Sequence, residues 1–247
     1  MVSGGAAACE HCGRPLAVAG IDLPFGLGNR TVLDDCPCLA DRRVAEASER
    51  RLQEHQQRVR RLLQQSGIGV RHQEATFDNF EATAESRPVL DLCRGFVEHF
   101  PDTGKGLTLA GPSGTGKTYL AVAITRALIE RGIPAVIVNV PRLFLTFRSS
   151  FQGTEPRRFE DQLDLVTTSD HLVLDDLGRE RLTDWVLETL YLVVNARYED
   201  RLATTITTNL DLDALRLRLG EPLVDRLAET NQAYWCQWPS WRRRSRP

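Results

Sequence analysis

The chain has 247 residues and a formal net charge of −2, with 42% hydrophobic and 26% charged residues. This length allows one large domain or a medium domain with a small one, and the near-balanced net charge argues neither for nor against a nucleic-acid partner. Because the sequence has no run of about 18 apolar residues and no signal-peptide pattern, we expect a soluble, cytoplasmic protein without a membrane partner.

Four of the six cysteines lie near the N-terminus in two close pairs, Cys9 with Cys12 and Cys36 with Cys38. Their thiolates would supply the four sulfur ligands of a tetrahedral Zn²⁺ site, and Gly13 suits a tight turn after the first pair. The second pair has one spacer residue where two are commoner, so redox-active or unliganded thiols are the alternative. Few large apolar side chains lie between the pairs, which favours a metal as the source of stability. We therefore predict a four-cysteine zinc-binding domain over residues 1–40.

Residues 41–70 are predicted to form a helical linker, because residues 39–65 are rich in helix-forming residues and a Gly-containing segment follows them. Arginines outnumber acidic residues on this helix, at positions 42, 43, 50, 51, 58, 60 and 61. A solvated helix surface is the simpler interpretation. A basic arm near a nucleic acid is the alternative.

A glycine-rich segment follows a predicted strand at 106–110 and precedes a predicted helix. It fits the P-loop pattern G-x-x-x-x-G-K-[ST] with the residues Gly111, Pro112, Ser113, Gly114, Thr115, Gly116, Lys117 and Thr118. Backbone N–H groups of such a loop bind phosphate oxygens. Lys117 is expected to reach the β and γ phosphates of ATP, and Thr118 to place its hydroxyl on Mg²⁺.

Residues 171–178 contain an apolar strand that ends in two carboxylates, Asp175 and Asp176, which is the Walker B form. Asp175 is expected to hold Mg²⁺ together with Thr118, and Asp176 to orient or deprotonate the attacking water. An acidic turn without catalytic role is the alternative. Because Asp176 is one methylene shorter than glutamate, we expect slow hydrolysis suited to a switch.

Two further residues are candidates for the reaction. Asn209 ends a β-branched strand predicted from residue 203, where P-loop ATPases with an inserted central strand place an amide on the γ-phosphate and water. A turn or helix-cap role is its alternative. Arg226, on a predicted helix, could act as an arginine finger on the ATP of a neighbouring subunit, which would make the protein a homo-oligomer. A salt bridge with Asp225 or Glu229 is the alternative.

The combined motifs resemble the DnaC/DnaI-type replicative helicase loaders and the related IstB-type transposition ATPases. The resemblance covers about residues 71–243 and rests on the P-loop, the Walker B strand, Thr208-Asn209-Leu210, Asp225-Arg226-Leu227, Thr76-Phe77-Asp78-Asn79-Phe80 and Ser240-Trp241-Arg242. It implies an α/β AAA+ ATPase domain over residues 71–247, with a parallel five-stranded sheet. Only nine residues follow the last predicted strand, at 233–238, so we expect no C-terminal helical lid. Glu221-Pro222 stands where relatives often carry a second basic residue.

The resemblance also implies a function and partners. We expect an ATP-hydrolysing loader that delivers a hexameric DnaB-type replicative helicase onto single-stranded DNA, with ATP, Mg²⁺ and Zn²⁺ as cofactors. The cysteine-rich segment is similar to the zinc-bearing, helicase-binding domain of DnaI-type loaders, which IstB-type proteins typically lack. An IstB-type transposition helper acting on duplex DNA, or a nucleotide-switched adaptor with little turnover, are the alternatives.

In such loaders, the region between the second strand and the Walker B strand lines a path for single-stranded DNA. Here that region, 141–170, carries four arginines interleaved with aromatic residues, namely Arg142, Arg148, Arg157 and Arg158 with Phe144, Phe147, Phe151 and Phe159. Cations can neutralise phosphates and rings can stack on bases. The alternative is that the aromatic side chains pack on the core and the arginines are solvated.

Overall fold

The computed structural model describes residues 8–9, 12–15, 18–22, 29–33, 36–101, 105–152, 156–180 and 182–244. The chain divides into two compact units, residues 1–57 and 58–247. The division falls inside one long helix, α1 (Pro37–Gln65). The segment 41–70, expected as a separate linker, is thus shared between the units.

The first unit contains a small antiparallel hairpin. Strand β1 (Val18–Asp22) pairs with β2 (Asn29–Leu33), and an isolated bridge joins Ala8 to Pro15. The helix α1 follows β2 and begins at Pro37. Its exposed arginines include those at 42, 43, 50 and 51. The sequence interpretation did not include the hairpin, because its strands are short and lack a clear apolar alternation.

The second unit is built on a parallel five-stranded sheet, as predicted. Its strands are β3 (Gly106–Ala110), β4 (Ala135–Asn139), β5 (His171–Leu177), β6 (Ala203–Thr208) and β7 (Asn231–Trp235). They lie in the order β4-β5-β6-β3-β7, and every adjacent pair is parallel. β6 is therefore inserted between the strand before the P-loop and the Walker B strand. β7 begins and ends earlier than the predicted 233–238.

Helices cover both faces of the sheet. They are α2 (Arg87–Glu98), α3 (Lys117–Glu130), α4 (Val140–Gln152), α5 (Pro156–Thr168), α6 (Asp184–Glu199), α7 (Leu212–Leu219), α8 (Glu221–Thr230) and α9 (Trp241–Arg244), with a 3₁₀ turn at Val70–His72. The last turns of α1 pack with α2 and α3 on one face. The helices α4 to α8 form the core on the other face. In the described chain, β7 is followed by one short helix, α9.

The chain leaving α1 covers one edge of the sheet. Gly67, just past the helix end, has φ of +76°, a conformation that favours glycine. The Ile137 amide of edge strand β4 donates a 2.7 Å hydrogen bond to the Ser66 carbonyl. A Cβ at position 67 would lie 2.2 Å from the Ile137 carbonyl oxygen. Glycine is therefore required for the close approach that gives the Ile137 amide of this edge strand its hydrogen-bond partner.

The aromatic side chains of α4 belong to the core. Phe144 and Phe147 are buried, and the Phe147 ring meets that of Phe159 at a centroid distance of 4.8 Å. The expectation that Phe144 and Phe147 stack on DNA bases is therefore wrong, because both rings are buried in the core. Phe159 is half-buried. Arg142 and Arg148 are exposed, as the packing alternative requires. The side chains at 151, 157 and 158 lie outside the described residues.

A buried polar cluster ties β5, β6 and α6 together. Arg197 is fully buried and donates hydrogen bonds to the Ala203 carbonyl at 2.7 Å and the Ser169 carbonyl at 2.8 Å. The His171 ring, also fully buried, lies 2.9 Å from the Thr205 hydroxyl through Nε2. Burial, together with the charge of Arg197, lowers the pKa of His171 from its ordinary 6.5 to about 3. His171 is thus neutral at the first position of the Walker B strand.

Among the described residues, none of the helices combines the length and the apolar character that crossing a bilayer requires.

Candidate active site

The P-loop joins β3 to α3 and approaches the chain closely at Cys236, just after β7. Gly111 has φ of +132°, and a Cβ there would lie 2.6 Å from the Cys236 carbonyl oxygen. Gly116, with φ of +93°, caps the N-terminus of α3. The loop can therefore turn its amides and the helix N-terminus toward one point, which is the geometry that binds phosphate.

Lys117 is buried beneath this loop. Its Nζ donates hydrogen bonds to the carbonyls of Gly111 at 2.7 Å and Pro112 at 2.8 Å, and to Asn209 Oδ1 at 3.0 Å. Burial lowers the pKa of Lys117, an effect partly offset by the nearby Asp175 and Asp176. The structure thus brings Lys117 and Asn209 together, although 92 positions separate them in sequence.

Asp175 is held by hydroxyl groups from two elements. Thr118 Oγ1 and Thr207 Oγ1 each donate to Asp175 Oδ1 at 2.7 Å. The pairing of Thr118 with Asp175 is the arrangement predicted for Mg²⁺. Hydroxyl and carboxylate oxygens are ligands that Mg²⁺ accepts, so this donor set fits the ion. Thr207, which the sequence interpretation missed, fixes the carboxylate from the inserted strand β6.

Asp176 reaches the same site through an irregular backbone. Successive residues of a strand face opposite sides, so two adjacent carboxylates could not both point to one site in a regular strand. Asp176 has φ of +59°, and the pairing of β5 with β6 shifts register between Leu174 and Leu177. The Asp176 carboxylate lies 3.6 Å from Arg179 Nη1. A non-glycine residue in this conformation is a sign of local strain of the kind found at functional sites.

A cavity of about 320 Å³ lies beside these groups. Its wall includes the P-loop from 113 to 118, Asp176 and Asn209. The wall also includes residues to which the sequence interpretation assigned no role at the site, namely Arg71, His72, Asn79, Phe80, Tyr119, Arg179, Trp238, Trp241 and Arg242. A purine base and ribose would need such a mixed polar and aromatic pocket next to the phosphate loop.

The segment after β7 forms part of this wall. Trp238 Nε1 donates to the Thr115 carbonyl at 2.8 Å, and the Trp241 amide donates to the Gly114 carbonyl at 2.8 Å. The signal for this contact was the closing Ser240-Trp241-Arg242 motif. Its position against the P-loop follows from the pairing of β7 with β3, which the sequence does not state directly.

Residues 42–246 match the protein family described as IstB-like ATP binding protein. The chain belongs to this family. The replicative helicase loader DnaC of Buchnera aphidicola subsp. Acyrthosiphon pisum is 28% identical over 187 residues, which are 75% of this chain and 76% of that protein. A crystal structure of the DnaC helicase loader matches 68% of this chain and 99% of its own, with a TM-score of 0.60 and 32% identity. A crystal structure of DnaI shows the same fold, with a TM-score of 0.61 at 23% identity over 73% of this chain and 98% of its own.

These comparisons confirm the resemblance to DnaC-type loaders and the AAA+ fold of the second unit. The P-loop at 111–118 lies within the residues that match this ATP-binding family. The catalytic roles of Lys117, Asp175, Asp176 and Asn209 are still predictions, and their proximity is what the structure adds.

The four N-terminal cysteines form a separate site outside the residues that match the IstB-like family. Their sulfur atoms all lie within 4.8 Å of one another, with Cys9 and Cys12 each 3.5 Å from a partner in the second pair, Cys38 and Cys36 respectively. Sulfur atoms around Zn²⁺, at about 2.3 Å from the ion, are about 3.8 Å apart. The Gly13 amide donates to the Cys9 carbonyl at 2.8 Å in the turn predicted there. The donor set fits Zn²⁺.

Arg226 lies on α8 and is absent from the wall of the nucleotide cavity. Neither of the salt bridges considered as its alternative role occurs among the described residues. Asp225 instead accepts from Arg216 at 3.3 Å, and Glu229 accepts from the Tyr198 hydroxyl at 3.0 Å. Arg226 instead lies against the rings of Tyr191 and Tyr198. Its predicted role on the ATP of a neighbouring subunit is still a prediction.

Proposed function

We propose that the protein is an ATP-hydrolysing helicase loader that delivers a hexameric DnaB-type helicase onto single-stranded DNA. The observation that carries the enzymatic part is the meeting of Lys117, Asp176 and Asn209 at one cavity beside the P-loop, where the Thr118 hydroxyl also holds Asp175. The loader part rests on DnaC relatives that align over about three quarters of the chain.

The roles of the site residues follow from their contacts. Lys117 exchanges its bonds to the Gly111 and Pro112 carbonyls for the β and γ phosphates, which restores strong partners to a buried ammonium. Thr118 and Asp175 would hold Mg²⁺, which neutralises charge on the phosphates. Asp176 orients and deprotonates the attacking water, and Asn209 holds that water and the γ-phosphate.

Arg226 acts in this proposal on the ATP of a neighbouring copy. It lies away from the cavity of its own chain, so a contribution to catalysis requires a homo-oligomer. An arginine supplied in this way stabilises charge on the transferring phosphoryl group and can contribute about 10³–10⁵ in rate. The site is thus incomplete in a single chain.

The N-terminal unit supplies the helicase contact in this proposal. Residues 1–40 form the zinc-binding domain, residues 41–70 the helical connection, and residues 71–247 the ATPase domain. The cysteine cluster supports this assignment because it lies outside the family match at 42–246 and therefore adds a module to the shared core. Single-stranded DNA is assigned to exposed arginines, such as Arg142 and Arg148 on α4.

The test of this proposal is ATP turnover by the parent protein, Lys117→Ala and Asp176→Asn, with and without single-stranded DNA and a hexameric helicase. Lys117→Ala should lose tight ATP binding, because it removes the positive charge that contacts the β and γ phosphates. Asp176→Asn should bind ATP and lose hydrolysis. Equal hydrolysis by Asp176→Asn and the parent would remove Asp176 from the catalytic role.

A transposition helper is the second candidate, because the matching family is described as IstB-like. That function predicts stimulation of turnover by duplex DNA and no capture of the helicase. A nucleotide-switched adaptor with little turnover predicts ATP binding without DNA-stimulated hydrolysis. Helicase delivery, measured by unwinding of a DNA substrate with a single-stranded region, identifies the loader, and ATP turnover with duplex DNA separates the other two functions.

A further inference from the structure

Two tyrosines on α6 form an aromatic surface against Arg226. Tyr191 and Tyr198 are seven residues apart, so they lie on one side of the helix. The Arg226 guanidinium carbon is 4.9 Å from the ring centroid of Tyr191 and 5.7 Å from that of Tyr198. Both distances are within the range of cation–π attraction.

The remaining contacts of Arg226 fix its orientation. Its Nη1 donates to the Pro222 carbonyl at 3.0 Å, and its Nε is buried without a hydrogen-bond partner. Nη2 has no protein acceptor among the described residues. The Tyr198 hydroxyl donates to Glu229 Oε2 at 3.0 Å, so Tyr198 is itself tied to α8. One end of the guanidinium is thus held by protein, while the other end offers free donors.

We propose that Tyr191 and Tyr198 are positioning residues for Arg226, which they hold ready to donate to the nucleotide of a neighbouring copy. This inference rests on the proposed function of Arg226. An unrestrained arginine side chain samples many rotamers and loses that freedom when it binds a phosphate. Two rings that already fix its guanidinium reduce this loss, and they lower the barrier to hydrolysis without touching ATP.

The experiment uses a mixture of two full-length variants. Asp176→Asn provides Arg226 but an inactive site, and Arg226→Ala provides an active site without the arginine. Neither should hydrolyse ATP alone. In an equal mixture, about one head-to-tail contact in four joins an intact site to an intact arginine, so hydrolysis should return.

Tyrosine substitutions are then placed in one component at a time. Tyr191→Leu in the Asp176→Asn component should lower kcat by about 3- to 10-fold with an unchanged KM, because a cation–π contact is lost. Tyr191→Phe at the same place keeps a ring and should retain the rate. The same Tyr191→Leu change in the Arg226→Ala component should have no effect, since that chain has no arginine to position. Tyr198→Leu provides a second, independent removal of a ring.

Each outcome decides the inference. Equal kcat for the Tyr191→Leu and Tyr191→Phe mixtures, or an equal loss with the substitution in either component, would overturn it. A higher kcat after ring removal would also overturn it, because the rings would then restrain Arg226. A further result is that the parent protein hydrolyses ATP while the mixture of Asp176→Asn and Arg226→Ala, without tyrosine substitutions, stays inactive. This result would exclude the role of Arg226 between subunits, and this inference with it. An inactive parent protein would instead contradict the proposed function as a whole.

Discussion

The buried His171 should make the second unit sensitive to mild acid. Its pKa is about 3 in the folded protein and about 6.5 when it is exposed in the unfolded chain. Below the unfolded value, the unfolded state binds more protons, so the free energy of unfolding falls as the pH falls. This contribution is fully present above about pH 6.5 and is progressively lost down to about pH 3.

The expected magnitude follows from the two pKa values. Between pH 7 and pH 5, linkage gives a loss of about 2 kcal/mol from this single group. That is a large part of the 5–15 kcal/mol typical of a domain. The physical reason is that protonated His171 would need an acceptor for Nδ1, which is buried without a partner, and would lie beside the charge of Arg197.

The measurement is urea-induced unfolding of the parent protein and His171→Gln at pH 7 and pH 5. The variant should lose about 2 kcal/mol less than the parent over this interval. The surface variant His99→Gln is the matched control and should behave like the parent. Glu180 titrates in the opposite sense, because burial raises its pKa, so the difference between variants is the relevant quantity. The same loss in the parent and His171→Gln would refute this account of His171.

Two further predictions concern metal and DNA. The protein should contain about one zinc per chain, and chelation or Cys9→Ser should unfold residues 1–40 while the second unit keeps its melting transition. The absence of zinc from protein that has been purified under reducing conditions would contradict this prediction. Combined charge removal at Arg142, Arg157 and Arg158 should weaken single-strand binding and lower its salt slope by about 2, with ATP binding unaffected. Unchanged affinity and slope would place the DNA contact elsewhere, such as on the basic helix 42–61.

Much of the site could be predicted because its chemistry is local. The P-loop combines glycine turns with the start of α3 within eight residues, and the Walker B carboxylates directly follow an apolar strand. The helix α7 was missed, although Asp211 caps its N-terminus by accepting from the Ala214 amide at 2.8 Å. Its eight residues are too few to show a clear helical period.

The aromatic residues of α4 show why composition alone misled. Alternating arginines and phenylalanines are compatible with a DNA path and equally with an amphipathic helix on the core. Which of these two roles the phenylalanines take depends on which face of α4 packs against β5, and this is decided by the tertiary fold. The same limit applies to Tyr191 and Tyr198, whose contact with Arg226 depends on the packing of α6 against α8.

The remaining site residues depend on strand order. β3 lies between β6 and β7, so the segments that follow both neighbours emerge beside the P-loop. Asn209 follows β6 and meets Lys117, while Trp238 follows β7 and meets Thr115. The position of Asn209 could be anticipated because the resemblance implied an inserted central strand. The same reasoning applied to the last strand would have placed Trp238 and Arg242 at the nucleotide cavity, since parallel strands end at one edge of the sheet.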